Sequence, residues 1–155
     1  MTTAAKQTMS SALVVFGGTG FVGTAVLAEA LSQDKKLQII VVNRTGEPPA
    51  WVVEEPVYQT NRLRFVSGDL LKPQTVREAL SEIAQEYHII ACISCVGAIT
   101  PWSNKQMIQT CGEANINAYT ISKETGASKF AVITRDRSNM DDWWYPFPHI
   151  IPGYY

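Results

Sequence analysis

The 155-residue chain has 46% hydrophobic and 17% charged residues and a formal net charge of −1 at pH 7. This composition is typical of one globular domain and excludes disordered and fibrous proteins. Because the net charge is small and the basic residues are scattered, nothing in the sequence favours binding to nucleic acid or to an anionic membrane surface. The longest apolar run is too short for a transmembrane helix.

The cysteines and the first residues bear on the cellular compartment. Cys92, Cys95 and Cys111 form an odd set, which favours free thiols in a reducing compartment. The first two have the spacing of a redox or zinc pair, but they lie in an apolar run that predicts a buried strand, where residues three apart face opposite sides. We therefore interpret them as small buried side chains. Residues 1–10 contain a Lys, several hydroxyls and no acid, which is compatible with the remnant of an organelle transit peptide.

Apolar β-branched runs alternate with segments of helical periodicity, which predicts an α/β fold with a doubly wound parallel sheet of about five strands. Residues 50–61 are ambiguous, and their Trp, Pro and Tyr favour an ordered loop. In chain order, the predicted elements are a strand at 12–16, a helix at 21–31, a strand at 37–42, a strand at 63–66, a helix from 72 to 87, a strand at 89–96, a helix at 104–125 and a strand at 130–134.

The long helix at 104–125 has an apolar stripe that predicts its buried face. Gly126 follows it as a stop signal. The predicted stripe consists of Ile108, Cys111, Asn115, Ala118 and Ile121.

Three regions are predicted along the chain: a flexible N-terminal segment at 1–11, a Rossmann domain at 12–137 and a tail at 138–155. The tail combines three prolines with six aromatic residues: Trp143, Trp144, Tyr145, Phe147, Tyr154 and Tyr155. Such an apolar surface is too large to leave in water, so we expect a protein partner or a further part of the fold to cover it.

A glycine-rich loop joins the first predicted strand to the first helix. Glycines are needed in such a loop because a side chain would hold the backbone away from a pyrophosphate and would block the close crossing of helix over strand. The amide groups at the helix N-terminus then face the anion. A tight turn without a ligand is the alternative. The predicted contact residues are Gly17, Thr19, Gly20, Phe21, Val22 and Gly23.

The end of the second strand bears on the choice of cofactor. About 20 residues beyond the glycines, a carboxylate would accept a hydrogen bond from the ribose 2′-hydroxyl, whereas an Arg would accommodate a 2′-phosphate. Asn43 and Arg44 occupy this place, with no carboxylate to repel a phosphate. A guanidinium can bind phosphate through two parallel hydrogen bonds. We therefore predict NADP(H) rather than NAD(H), and a solvated surface charge is the alternative role of Arg44.

Residues after the later strands complete the predicted site. Asp69 could accept a hydrogen bond from the adenine amino group or cap the following helix, and spacing does not choose between these roles. Gly97 and Ala98 would let a cofactor approach the backbone closely. Thr134 could present a hydroxyl to a substrate. The two histidines have no second ligand at metal spacing, so no metal site is predicted.

These motifs resemble the short-chain dehydrogenase/reductase superfamily, in its extended or atypical branch, over nearly the whole chain. Residues 17–23 are similar to the GxxGxxG loop of that branch, and Gly68-Asp69-Leu70 is similar to its adenine-side Asp motif. Residues 95–98 are similar to the short turn beside the nicotinamide ribose. Residues 115–118 and 126–134 are similar to the helix and fifth strand that present the catalytic Ser or Thr. The resemblance implies a Rossmann fold that lacks its C-terminal part here, with Leu70 beside the adenine.

The resemblance also implies which residues would transfer a proton in catalysis. In the family, a Tyr and a Lys four residues later form the proton-donating pair, and Tyr154 has the Tyr position in a segment that stops before the Lys. Thr134 and Tyr154 are therefore the predicted catalytic residues. Without a neighbouring cation, a Tyr keeps a pKa near about 10 and is a poor acid–base catalyst at neutral pH.

The function predicted from these observations is an NADP(H)-binding Rossmann module without catalytic activity. The resemblance includes atypical mitochondrial members, among them the nucleotide-binding accessory subunit of respiratory complex I and a ubiquinone-biosynthesis relative. It implies an accessory subunit of a larger assembly on the matrix side of mitochondria, with the cytoplasm as the alternative location. The alternative function is the cofactor-binding half of an active NADP-dependent reductase, dehydrogenase or epimerase.

Overall fold

The computed structural model describes residues 9–97 and 104–133. Its elements in chain order are β1 (Ser10–Phe16), α1 (Phe21–Gln33), β2 (Gln38–Asn43), α2 (Ala50–Glu54), a 3₁₀ turn (Pro56–Tyr58), β3 (Leu63–Ser67), α3 (Pro73–Glu86), β4 (Tyr87–Ser94), α4 (Asn104–Met107), a π-helical segment (Ile108–Glu113), α5 (Ala114–Glu124) and β5 (Lys129–Val132).

The five strands form one parallel sheet in the order β3-β2-β1-β4-β5. The chain moves outward from β1 to β3 on one side and then returns to place β4 on the other side of β1. Helical connections lie between successive strands, as parallel pairing requires. The predicted α/β, doubly wound parallel fold is therefore confirmed.

The central strand β1 is buried on both faces of the sheet. Val14 and Phe16 lie in one apolar cluster with residues of α3 and α5. Leu13 and Val15 lie in the opposite cluster with residues of α1. Strands covered on both faces have nearly continuous apolar sequences, and complete burial of each such side chain contributes about 1.5–3 kcal/mol. This burial explains why the sequence predicts β1 so clearly.

A register shift in the pairing of β1 with β4 adds one residue to β4. Ala12 pairs with Ile89, whereas the next residue of β1, Leu13, pairs with Ala91. Ile90 is thus the extra residue of a bulge. Its carbonyl oxygen accepts hydrogen bonds from the backbone N–H and the hydroxyl of Ser128, at 3.2 and 2.9 Å. The bulge therefore also anchors the start of β5.

Several predicted boundaries differ from the structure. Residues 50–61 contain α2 and a 3₁₀ turn rather than only a loop. β1 and β4 each begin two residues earlier than predicted because Ser10 pairs with Tyr87 in the ladder. β5 ends at Val132, although the Ile133 N–H still donates to the Ser94 carbonyl oxygen at 2.9 Å.

The longest predicted helix is present, but the first part of its predicted buried face is wrong. Ile108 and Cys111 are exposed, whereas Met107 and Ala114 are buried. The physical reason is the π-helical segment Ile108–Glu113, whose wider turns shift which residues face the sheet. Beyond it the prediction is correct, since Ala118 and Ile121 are buried. Gly126, with a φ of 79°, follows the C-terminus as predicted.

Two of the cysteines lie on opposite faces of the sheet, as predicted. Cys92 is 1% exposed, and burial raises the pKa of its thiol. Cys95 is half-buried in the opposite cluster, and burial raises its pKa as well. The three cysteines form no disulfide. In the described ranges, no group of three or more His, Cys, Asp or Glu residues could hold a metal ion.

Among the glycines that the structure describes, Gly23 in the first turn of α1 lies closest to another part of the backbone. A Cβ atom built on Gly23 would overlap the Gly17 carbonyl oxygen and would lie 2.6 Å from the Gly18 Cα. These obstacles are backbone atoms, which cannot rotate away as a side chain can. Gly112, in contrast, has no atom within 4 Å of such a Cβ and lies within a helix.

We expect Gly23→Ala to lower the free energy of unfolding by about 3 kcal/mol, because the added methyl forces α1 away from β1. Gly112→Ala is the matched control, and it should leave stability unchanged or raise it by up to about 1 kcal/mol. Chemical denaturation of both variants measures the difference. Equal midpoints for the two variants would contradict the close crossing.

We expect the cysteines to react with N-ethylmaleimide in the order of their exposure. Cys111 is exposed and should be modified in the native protein, whereas Cys92 should react only after unfolding. Burial excludes the reagent from Cys92, and its raised pKa lowers the thiolate fraction at neutral pH. Mass spectrometry of native and denatured samples gives the order. Modification of Cys92 at the rate of Cys111 would show that β4 is not buried.

Candidate functional site

A cavity of about 710 Å³ lies at the carboxyl ends of the strands. Its walls are the loops that follow β1, β2, β3 and β4, together with one face of the helix that runs from Asn104 to Glu124. In open α/β sheets, ligands bind outside the carboxyl ends of the strands, at the point where the strand order reverses. That point lies between β1 and β4 in this sheet.

The glycine-rich loop forms the wall of the cavity above β1. Gly17 has a φ of 71°, and its carbonyl oxygen accepts a hydrogen bond from the Gly20 N–H at 3.1 Å. A Cβ on Gly17 would lie 3.0 Å from Val96 Cγ2, so the loop also packs closely against the turn after β4. Gly20 is the N-cap of α1 and brings no capping side chain. The first N–H groups of α1 are therefore open to an anionic group.

The predicted residues of this loop contribute in different ways. Gly17, Thr19 and Gly20 line the cavity. Phe21 is 96% exposed and Val22 is 44% exposed, so any contribution from these two comes through their backbone N–H groups. Gly23 is buried and allows the close crossing described above. A loop with glycines at 17, 20 and 23 and uncapped N–H groups at the N-terminus of α1 fits a pyrophosphate group.

The loop after β2 is held by the side chain of Asn43. Its Oδ1 accepts a hydrogen bond from the Gly46 N–H at 2.6 Å, and its Nδ2 donates to the Glu47 carbonyl oxygen at 2.8 Å. The Ser67 hydroxyl donates to the Arg44 carbonyl oxygen at 3.1 Å and so ties this loop to β3. Asn43 lines the cavity, but these bonds make it a support of the loop as well as a predicted contact.

Two opposite charges reach the cavity from this loop. Arg44 lines it, is exposed, and forms no ion pair with the described residues. The predicted place at residues 43–44 holds no carboxylate, but Glu47, three residues beyond Arg44 in the same loop, also lines the cavity. Counting about 20 residues from the glycines reaches only the end of β2. It does not find Glu47, which lies further along the loop and reaches the cavity because the loop turns back. The signal in the sequence is Gly46, which adopts a φ of 75°.

Asp69 lies in a turn before α3 and lines the cavity. Its Oδ1 accepts a hydrogen bond from the Leu71 N–H at 3.0 Å, and its own N–H donates to the Thr75 hydroxyl at 2.9 Å. α3 begins only at Pro73, with Lys72 as its N-cap, so the helix-cap role considered for Asp69 is wrong. Leu70 also lines the cavity, as predicted for the site.

The opposite wall is the turn after β4, where Gly97 lines the cavity. The buried Ser94 hydroxyl donates to Asn115 Oδ1 at 2.5 Å, and Asn115 Nδ2 donates to the Val96 carbonyl oxygen at 3.0 Å. The sequence analysis did not single out Ser94, because a lone Ser in an apolar strand carries no signal. The other predicted residues of this region, Ala98, Thr134 and Tyr154, lie outside the described residues.

The helix between β4 and β5 supplies cavity residues that the sequence analysis missed. Gln106, Thr110 and Ala114 line the cavity from this helix. Thr110 lies in the π-helical segment itself, and the sequence gives no indication of that segment. None of the helices in the described ranges is long and apolar enough to span a membrane.

Comparison with known proteins agrees with this geometry. The sequence profile of the NAD dependent epimerase/dehydratase family matches residues 13–133. An uncharacterized chloroplastic protein of Arabidopsis thaliana is 29% identical over 134 residues, which cover 84% of this chain and 39% of that protein. MIOREX complex component 2 of Saccharomyces cerevisiae is 26% identical over 81 residues, which cover 52% of this chain and 28% of that protein. The chain thus spans less than two-fifths of these curated relatives.

Solved structures share the fold. UDP-glucose 4-epimerase from Bifidobacterium longum, in complex with NAD⁺ and UDP, matches with a TM-score of 0.63 at 17% identity, over 79% of this chain and 36% of that chain. The family profile runs from the middle of β1 to the residue after β5 and so includes part or all of each of the five strands and the glycine-rich loop. The nicotinamide dinucleotide that the family's name implies fits the glycine-rich loop at the N-terminus of α1. The chain therefore belongs to the NAD dependent epimerase/dehydratase family, in the extended short-chain dehydrogenase/reductase superfamily.

Proposed function

We propose that this chain is an NADP(H)-binding Rossmann module that serves as a non-catalytic accessory subunit of a larger organellar assembly. The observation that carries this proposal is the composition of the cavity wall. The described part of that wall offers groups that bind phosphates and ribose, whereas it holds no side chain suited to proton transfer at the nicotinamide end.

The preference for NADP(H) rests on the loop after β2. The Arg44 backbone is fixed by Ser67, and the loop around it is fixed by Asn43, so the guanidinium is presented from an ordered support. Hydrogen bonds to charged groups contribute about 1.5–3 kcal/mol each, more than is typical for a neutral pair. Glu47 opposes this preference, because its carboxylate repels a 2′-phosphate and accepts well from a ribose hydroxyl. We infer that Arg44 outweighs Glu47, since a guanidinium can form two such bonds with one phosphate.

The absence of catalysis rests on the titratable groups of the cavity. Those among the described lining residues are Arg44, Glu47, Asp69 and Cys95. The first three lie after β2 and β3, on the side where the adenosine half binds. Cys95 lies near the other half, but burial raises its pKa, so the thiol stays protonated at neutral pH and is a weak base. Efficient proton transfer needs a group whose pKa lies near the working pH.

The assembly and its location are proposed from the relatives and from exposed apolar side chains. One relative is named as chloroplastic and another as a component of a complex, which together support an organellar location and a protein partner. Among the organelles we propose mitochondria as the location, as the resemblance to atypical mitochondrial members implies. On α5, Ile116 is 65% exposed and Tyr119 is 53% exposed, and after β5 Ile133 is 43% exposed. These side chains would join the aromatic segment at 138–155 in an interface.

A second candidate function is the cofactor-binding half of an NADP-dependent reductase, dehydrogenase or epimerase. It is favoured by the family itself, whose name describes enzymes. Thr134 and Tyr154 would then donate hydrogen bonds to a substrate carbonyl, while hydride passes between that carbon and the nicotinamide C4. The remaining part of the site would come from a further polypeptide segment.

We expect the unmodified chain to bind NADPH at least about tenfold more tightly than NADH, a difference of about 1.4 kcal/mol. Arg44→Glu should abolish this preference, because it replaces the cation that faces the 2′-phosphate with a carboxylate. Lys35→Glu, an exposed change of equal charge at the opposite end of β2, is the control and should leave the preference intact. Titration calorimetry gives the dissociation constants. Equal affinities in the unmodified chain would disprove the role of Arg44.

We expect no turnover when the chain with bound NADPH is mixed with simple ketones and aldehydes, which carry the carbonyl that a reductase would reduce. The oxidation of NADPH, followed by its absorbance, should not exceed the rate without protein. Turnover that is lost in Tyr154→Phe and in Thr134→Val would favour the second candidate function and would overturn the non-catalytic proposal.

A further inference from the structure

We propose that Asn115 and Asn117 of α5 are positioning residues that hold two walls of the cavity separately. Asn115 sets the turn after β4, which faces the nicotinamide half of a dinucleotide. Asn117 sets the loop after β3, which faces the adenosine half. This inference rests on the proposed dinucleotide binding and adds to it the separate control of the two halves.

The side-chain amide of Asn115 forms hydrogen bonds with β4, with the turn after β4 and with the preceding turn of its own helix. Its Oδ1 accepts from the Ser94 hydroxyl at 2.5 Å, and its Nδ2 donates to the carbonyl oxygens of Val96 and Cys111 at 3.0 and 2.9 Å. Ser94 has no exposed surface, and its hydroxyl oxygen also accepts from the Val96 N–H at 3.4 Å. Both backbone groups of Val96 are therefore held by this pair of side chains. Gly97, the next residue, lines the cavity.

Asn117 makes one contact, and it reaches the opposite wall. Its Nδ2 donates to the Leu70 carbonyl oxygen at 2.7 Å. The turn around Asp69 closes on itself through the Leu71 N–H, so this closure does not attach the turn to the rest of the protein. The Asn117 bond supplies such an attachment, from a residue 47 positions away in the chain. Leu70 and its neighbours line the cavity beside the loop that carries Arg44.

The strand order assigns these walls to the two halves of the ligand. A pyrophosphate at the N-terminus of α1 lies above β1. β2 and β3 lie on one side of β1, and β4 lies on the other. The 2′-position of the adenosine ribose is recognised from the end of β2, so the adenosine half extends toward β3 and Leu70. The nicotinamide half must then extend over β4, toward Val96 and Gly97.

α5 is a firm support for both contacts. Ala114, Ala118 and Ile121 are buried against the sheet. Arg77 of α3 binds Glu124 through two hydrogen bonds of 2.7 and 3.1 Å and joins the end of α5 to a second helix. The two asparagines thus act from one rigid element on two loops that are far apart in the sequence.

The test uses three single alanine variants of the full chain and two probes. Asn115→Ala and Asn117→Ala remove the same amide from the same helix without a change of charge, and alanine preserves the helix. Thr120→Ala is the control, because Thr120 is exposed and bonds only to Ile116 of its own helix. ADP represents the adenosine half with its phosphates, and NADPH represents the whole dinucleotide.

We expect Asn115→Ala to raise the Kd for NADPH by about tenfold and to change the Kd for ADP by less than about twofold. Asn117→Ala should raise both constants by the same factor, about fivefold or more, because both probes contain the adenosine half. Thr120→Ala should change neither. A general loss of stability would weaken both probes alike, so for Asn115→Ala the split between the probes distinguishes positioning from a merely structural role. For Asn117→Ala that distinction comes from chemical denaturation, whose midpoint should equal that of Thr120→Ala although the Kd for both probes rises.

The proposal is overturned if Asn115→Ala weakens ADP as much as NADPH, or if it leaves NADPH unaffected. It is overturned as well if Asn117→Ala leaves ADP binding unchanged. If Asn115→Ala does not fold, Ser94→Ala replaces it, since this variant keeps both donor bonds of Asn115 and should show the same split with a smaller factor. An unmodified chain that binds neither NADPH nor NADH would instead disprove the proposed function, so the two failures are distinct.

Discussion

The close approach of α1 to the carboxyl end of β1 is the contact on which the cavity depends. At Gly23 the helix backbone lies so near Gly17 and Gly18 that no Cβ can be inserted. This proximity places the first N–H groups of α1 directly above the centre of the sheet. The loops after β2, β3 and β4 then surround that point, because the parallel arrangement brings all their carboxyl ends to one edge. A wider crossing would enlarge the cavity and move the amide groups away from any phosphate.

Hydrogen bonds from side chains to the backbone give the loops around this point their shape. Asn43 closes the loop that presents Arg44, and Asp69 closes the turn before α3 with its own carboxylate. Asn115 and Asn117 then attach two of the loops to α5. Loops held in this way are already ordered when a ligand arrives, which lowers the entropic cost of binding. The order of the site therefore comes from polar side chains whose hydrogen bonds go mainly to the protein backbone rather than to the ligand.

Local patterns in the sequence predict the fold well and the site only in part. β1 and β2 are predictable because their burial on both faces demands apolar residues at every position, and the glycine-rich loop is predictable because its backbone geometry restricts residue type. Glu47 is missed because its place depends on how a loop folds back. The faces of the helix around Cys111 are mispredicted because a π-helical turn changes the register, and the sequence pattern does not indicate that turn. The role of Ser94 can be recognised only once its hydrogen-bond partner on α5, Asn115, is known.

The bulge at Ile90 decides which side of the sheet Ser94 occupies. Side chains alternate along a strand, and yet Ile89 and Cys92, three residues apart, both lie in the cluster that includes α5 residues. The extra residue is what reverses the alternation, so that Ser94, paired with Phe16, also lies on the α5 side. In a strand one residue shorter, the same serine would face α1 and could not reach Asn115. A single extra residue in the middle of β4 thus determines which face Ser94 occupies at the end of the strand, about 13 Å further along at 3.3 Å per residue.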